Sequence, residues 1–147
     1  MTVVKDIMNR EPVTVEMDST LERVRNLFTK ADTHHIIVVR GREPIGIISD
    51  RDVLRTVSPF VGKLSERPQD LSTLQRLAHQ VMSRKLITVR PDTPNSEAID
   101  LLLQHRISAL PVLSDRGNLI GIVSWRDLLR YCAESGQSDC GTCDAAA

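Results

Sequence analysis

The sequence predicts an α/β protein built from one β-α-β-β-α unit written twice. Three observations predict it. The stretch GIISDRDVLR at residues 46–55 returns, nearly letter for letter, as GIVSWRDLLR at residues 121–130. A slide of 74 positions lays Met8 on Met82, Arg10 on Arg84, Thr14 on Thr88, Val15 on Val89, Asp18 on Asp92, Leu27 on Leu101 and Val38 on Val112, and a slide of 75 then aligns the decapeptides. The change of slide falls between RGRE and SDRGN, where a turn between two strands tolerates an insertion. Within each copy, short β-rich runs alternate with stretches of helical period.

Taken in order, each unit opens on a short strand, at Val13–Val15 and at Ile87–Val89. A helix start follows at Ser19 or Thr93, whose hydroxyl can cap free backbone N–H groups, with Pro94 at the first helical position, which it favours. Leu21, Val24, Leu27, Phe28 and Ala31 form one apolar stripe in the first helix, as do Ala98, Leu101 and Leu102 in the second. The runs IIVV (36–39) and LPVL (110–113), each followed by a turn and then PIGIIS or LIGIVS, read as β-hairpins. A final helix carries Val53, Leu54 and Val57 in one unit and Leu128, Leu129 and Cys132 in the other. Between the units SPFVGKLSERPQD is a loop, after which Leu74, Leu77, Ala78 and Val81 keep helical spacing into the second unit. The expected organisation is a first repeat over 3–60, a linker and connecting helix over 61–77, a second repeat over 78–133 and a polar tail over 134–147. A unit of about 55 residues buries too little surface to be stable alone, so the two should pack together through the sheet faces that their helices leave uncovered.

Composition narrows the function. With 147 residues, 41% of them apolar, the chain is expected to be a complete globular protein. Nineteen Lys and Arg balance nineteen Asp and Glu. No field of either sign steers it toward nucleic acid or an anionic membrane. No apolar run approaches the roughly 20 residues that span a bilayer, and the first residues lack the order of a signal peptide, so a cytoplasmic protein is expected. The three cysteines, Cys132, Cys140 and Cys143, all lie late and could not staple the main body. No nucleophile with a base, paired catalytic acids or phosphate-cradling glycine loop is present, which argues against an enzyme.

The repeated GIISDRD and GIVSWRD, the segment ISALPVL before the second hairpin, and the Asp-Ser and Asp-Thr helix starts resemble the tandem pair of cystathionine-β-synthase (CBS) domains, also called a Bateman module, of the stand-alone bacterial type. The resemblance covers residues 3–133. It implies an α/β fold with pseudo-twofold symmetry, no catalytic activity, no required cofactor, and regulatory binding of an adenosine-containing ligand, AMP, ADP, ATP or S-adenosylmethionine, in the cleft between the repeats. It also implies a homodimer, because the helices of such a pair leave an apolar surface that a second pair covers. Any regulated protein would be a separate, unknown partner.

An adenosine ligand offers a flat base, a ribose diol and, in most cases, phosphates. Asp52 and Asp127, each closing a Ser-x-x-Asp helix start with Ser49 or Ser124, can accept hydrogen bonds from both ribose hydroxyls. Arg51 and Arg126 sit where a helix N-terminus favours an anion. By resemblance the base would lie against Pro12 and Val13, Leu86 and Ile87, and the start of the second strand at His35, or at Ala109 and Pro111. The same Ser-x-x-Asp pairs are also ordinary capping boxes that need bind nothing. Arg55 and Arg130, a turn further on, are solvated or paired with an acid. His34 and His35 resemble a metal pair, yet adjacent strand residues point to opposite faces. Trp125, in place of Asp50, either stacks on a base or covers a dimer surface. The two half-sites should differ, because the second keeps ISALPVL where the first has THHIIVV; Asp127 with Arg126 and the wall from Leu86 to Ile87 is expected to form the tighter one. Two other readings stay open: a structural homodimerisation module with a decayed site, and a thiol or metal protein acting through Cys140-x-x-Cys143.

Overall fold

The computed structural model describes residues 2–135. Val13–Leu86 forms one compact unit, and the residues up to Pro12 join those from Ile87 onward in the other. The continuous unit contains β1 (Thr14–Glu16), α1 (Leu21–Ala31), β2 (His35–Arg40), β3 (Glu43–Ser49), α2 (Asp50–Thr56), α3 (Pro68–Ser72) and α4 (Ala78–Val81). The split unit contains a 3-10 turn at Val4–Asp6, α5 (Asn95–His105), β4 (Ala109–Leu113), β5 (Leu119–Ser124) and α6 (Trp125–Glu134). The fold is α/β with two strand-and-helix repeats, as the sequence predicts.

In the continuous unit β2 lies centrally, parallel to β1 and antiparallel to β3. In the split unit β4 and β5 pair antiparallel, but the strand expected at Ile87–Val89 shrinks to one bridge between Val89 and Val112. Proline chemistry accounts for the loss. In the first repeat Ile37 N–H donates to the Val13 carbonyl at 3.0 Å. The slide puts Pro111 on Ile37, and proline has no N–H to give. What survives is Val89 N–H to the Pro111 carbonyl (3.0 Å) and Leu113 N–H to the Val89 carbonyl (2.9 Å).

The turns carry the expected one-residue difference. Arg40 pairs with Glu43 around Gly41 and Arg42, whereas Ser114 N–H donates to the Asn118 carbonyl at 2.9 Å across three residues. Gly41 and Gly117 hold φ of 63° and 79°, the left-handed region that a side chain would strain.

Both first helices start one residue later than the sequence suggests. Thr20, not Ser19, caps α1, its hydroxyl accepting from Arg23 N–H at 3.3 Å; Ser19 Oγ accepts from Glu16 N–H instead. Thr93 Oγ1 likewise accepts from Arg90 N–H, and Pro94 is the cap of α5 rather than its first residue. The hydroxyls hold the turn before the helix, and the helix begins after it.

The two cores repeat each other. Val15, Val24, Ile36, Val38, Ile48, Val53 and Ala78 are buried in the continuous unit, and their counterparts Val89, Ala98, Leu110, Val112, Val123, Leu128 and Val4 are buried in the split unit. Ala78 and Val4 show that the segment leading each repeat is a core element. Ala78 and Met82 close the core of the continuous unit rather than leading into the second. The helix expected through Leu74, Leu77, Ala78 and Val81 is broken at Leu77, whose extended backbone bridges Thr20. In the split unit the same place is taken by Val4, Ile7 and Met8.

Glycine makes both contacts possible. A Cβ built on Gly46 would lie 2.2 Å from Met82 Sδ, and one on Gly121 would lie 2.7 Å from Met8 Sδ and 2.9 Å from the Asn9 carbonyl oxygen. Gly46→Ala and Gly121→Ala are each expected to destabilise the fold by about 1–3 kcal/mol through overpacking. Urea denaturation of each variant against the parent measures it, and an unchanged midpoint would mean that the methionines relax freely.

Candidate functional site

Strand direction gathers the chemistry at one end of each sheet. Because β1 and β2 run parallel and β3 returns, the start of β1, the start of β2 and the end of β3 lie together. Val13, His35 and Ser49 occupy that end, with His35 the register partner of Ser49. In the split unit Ala109 is the register partner of Ser124 at the matching end. Pro12, Val13, Leu86 and Ile87 are all half-buried and lie where the chain passes from one compact unit to the other.

The candidate residues of each unit are built on a capping box. Ser49 N–H donates to Asp52 Oδ2 at 2.8 Å, and Asp52 N–H donates back to Ser49 Oγ at 3.2 Å. Ser124 N–H donates to Asp127 Oδ2 at 2.8 Å, Ser124 Oγ lies 3.0 Å from the same oxygen, and Asp127 N–H reaches Ser124 Oγ at 3.4 Å. The capping reading of Ser-x-x-Asp is therefore realised in both units. It does not exhaust the carboxylates, since each cap uses Oδ2 and leaves Oδ1 outside the box. Asp127 Oδ1 lies 4.0 Å from Arg130 Nη1. Arg51 and Arg126 are exposed, and the Arg126 guanidinium stands 5.4 Å from the centre of the Trp125 ring. That distance is within cation–π range and places Trp125 beneath a cation. Ala109 and Pro111 are buried, unlike His35.

One pair escapes the sequence reading. His34 Nδ1 lies 2.8 Å from Asp50 Oδ2, and Asp50 N–H donates to the His34 carbonyl at 3.1 Å. The signal was available: once His35 opposes Ser49 in a hairpin, His34 and Asp50 form the next cross-strand pair. His34 is thus engaged by a carboxylate, and no group of three metal-capable side chains gathers among the described residues. Burial pushes the Asp50 carboxyl up, but the His34 hydrogen bond and charge, helped by Arg51 N–H, outweigh it and hold the group below its ordinary range. The counterpart in the split unit is Trp125, whose N–H donates to the Ser108 carbonyl at 3.1 Å.

A separate polar cleft of about 550 Å³, lined by Thr14, Val15, Glu16, Asp18, Ser19, Thr20 and Arg23, includes none of the half-site residues. Among the described residues no helix is long and apolar enough to cross a membrane. Cys140 and Cys143 lie outside the described residues.

Two sheets, each ending in a serine–arginine–aspartate cap, define a tandem α/β repeat protein. The chain belongs to the CBS domain family, whose pattern matches residues 4–59 and again 78–134. A CBS domain-containing protein of Dictyostelium discoideum is 32% identical, the match covering 86% of this chain and 88% of that one. Among solved structures, the CBS domain pair of protein MJ0100, crystallised with 5′-methylthioadenosine and S-adenosyl-L-methionine, superposes with a TM-score of 0.76 at 23% identity, covering 92% of this chain and 98% of that one. The structure of CBSX2 in complex with AMP gives 0.77 at 21% identity, covering 92% and 99%. At these identities the two structures speak for the fold.

Because the folded Asp50 carboxyl is held low, the pair's contribution is present above the titration of the unfolded carboxylate. It is lost as pH falls through the lowered folded value. Both side chains are well exposed, so Asp50→Asn is expected to cost only about 0.2–1 kcal/mol near neutrality. The gap to the parent should close on acidification. Urea denaturation across that range checks it, and a gap that widens toward acid would show the sign to be wrong.

Proposed function

We propose that this chain is a non-enzymatic regulatory module that binds an adenosine-containing ligand, an adenine nucleotide or S-adenosylmethionine, at the strand ends of its two units. The observation that carries the reading is the matched pair of caps: in both units a serine and an aspartate lock a helix start, an exposed arginine sits between them, and the aspartate keeps one oxygen outside the cap. A carboxylate oxygen so placed can accept from a ribose hydroxyl, charge-assisted, without giving up the cap. The neighbouring guanidinium suits a phosphate or a carboxylate, the anionic groups of the two ligand classes. The adenosine ligands carried by the MJ0100 pair and by CBSX2 support the same reading.

The module acts in the cytoplasm as a homodimer and passes its ligand state to a separate protein. Leu54 on α2 is 80% exposed, its counterpart Leu129 on α6 is 57% exposed, and Leu103 on α5 is 72% exposed. Apolar side chains of that size at matching positions favour a second copy as cover. Light scattering at micromolar concentration is expected to report a dimer, and a strict monomer with or without nucleotide would remove this part of the reading.

AMP, ATP and S-adenosylmethionine are to be compared in thermal denaturation. A ligand specific for the folded state stabilises it by about 2.7 kcal/mol at a hundredfold excess over its dissociation constant. Asp52→Ala with Asp127→Ala should abolish that gain, while loss of the caps lowers stability by roughly 0.5–2 kcal/mol per helix. If the double variant keeps the full gain, the carboxylates are caps alone. Calorimetry on the single variants should show the larger loss for Asp127→Ala, beside Arg126 and Trp125.

A further inference from the structure

Among the matched core positions one pair differs in kind. Leu21 is fully buried in the continuous unit, and the slide of 74 places Asn95 on it. Asn95 is 4% exposed, and neither its Nδ2 nor its Oδ1 meets a hydrogen-bond partner. Both residues open their helices, and both are covered by the segment that leads a repeat. The backbone bonds of that cover correspond. In the continuous unit Leu21 N–H donates to the Arg76 carbonyl (2.7 Å), Ala78 N–H to the Ser19 carbonyl (2.8 Å), and Ser83 and Ile47 exchange two bonds of 2.9 and 3.0 Å. In the split unit Asn95 N–H donates to the Thr2 carbonyl (3.2 Å), Val4 N–H to the Thr93 carbonyl (2.9 Å), and Asn9 and Ile122 exchange two bonds of 2.9 and 3.0 Å. A hydroxyl contact between Thr2 and Tyr131 is added on this side. With the backbone matched, the seals differ at the residue beneath: a leucine in one unit, a primary amide with unmet donors and acceptors in the other. A buried amide without a partner carries a desolvation cost that it sheds on meeting water. Opening is therefore favoured where the amide lies.

We infer that Thr2–Asn9 is a releasable strap on the split unit, set by Asn95 to open locally while the rest of that unit stays folded. Release hydrates Asn95, withdraws Val4 from the core and frees the backbone of Ile122 on β5. Only Arg10 and Glu11 separate the strap from Pro12, where the chain passes to the continuous unit.

Hydrogen exchange on the full chain tests this, because the second strap is an internal control. In the parent, the amides of Val4 and Asn9 should exchange about tenfold or more faster than those of Ala78 and Ser83. Asn95→Leu should slow Val4 and Asn9 by a similar factor and leave Ser83 unchanged, and Leu21→Asn should speed Ala78 and Ser83. Equal protection of the two straps in the parent overturns the inference, and that comparison needs no variant to fold. So does an Asn95→Leu chain whose strap amides exchange as fast as before, since the Asn95 amide would then be satisfied in the folded state by a buried water.

Discussion

The seating of both leading segments, and through it the course of the chain, depends on two places where a methionine meets a strand that has no side chain to resist it. Gly46 on β3 and Gly121 on β5 leave room for Met82 and Met8, and any Cβ there would lie inside the sulfur's contact distance. Close approach lets the following residue, Ser83 or Asn9, form a two-bond bridge to the strand. The bridge in turn brings Ala78 or Val4 into a core that the hairpin and its two helices would leave incomplete. Because the leading segment is seated by the strand, the chain must change units just after it, at Pro12 or Leu86. A packing requirement at two glycines thereby decides which residues lie near the chain crossings.

In the function proposed above, the caps make stability and recognition share atoms. Ser49 and Ser124 end a strand and begin a helix in one residue, which is possible because an N-cap keeps extended backbone angles. The aspartate three residues on satisfies the cap's own N–H, so its rotamer is held before any ligand arrives. Such preorganisation lowers the ordering cost of binding. The environments of the two caps diverge at the strand partner, His35 or Ala109, and at the residue between serine and arginine. Asp50 is drawn to His34 and brings a negative charge, whereas Trp125 lies under Arg126 and brings none. The two caps thus have different electrostatic surroundings.

The repeat, its hairpins and its helices were legible because each is written locally, in period and in turn chemistry. Three features were not. The missing strand at Ile87–Val89 follows from Pro111, but only after the partner of Ile87 is known, since a proline deletes a bond in the strand that would have received it. The helix starts slipped by one residue because Ser19 and Thr93 are good caps by type, and only geometry tells whether a hydroxyl serves the helix or the turn before it. Membership of Val4–Asp6 in the split unit was hidden because the repeat is the same whichever unit its leading segment joins. In the candidate site the serines, arginines and aspartates were readable as duplicated chemistry, while His34 with Asp50 required the hairpin register to be followed one step past its end.

Seating Met8 and Val4 against residues of the second repeat, far along the chain, also orders events on the ribosome. Residues 13–86 contain every contact of the continuous unit and can close while the remainder is still being made. Residues 2–9 cannot: their hydrogen-bonding partners at Thr93 and Ile122 are made only after the continuous unit. Until then Val4, Ile7 and Met8 are an apolar stretch without the core that covers them. The closing of the split unit, a long-range step with a large loop to bridge, should be the slow part of folding.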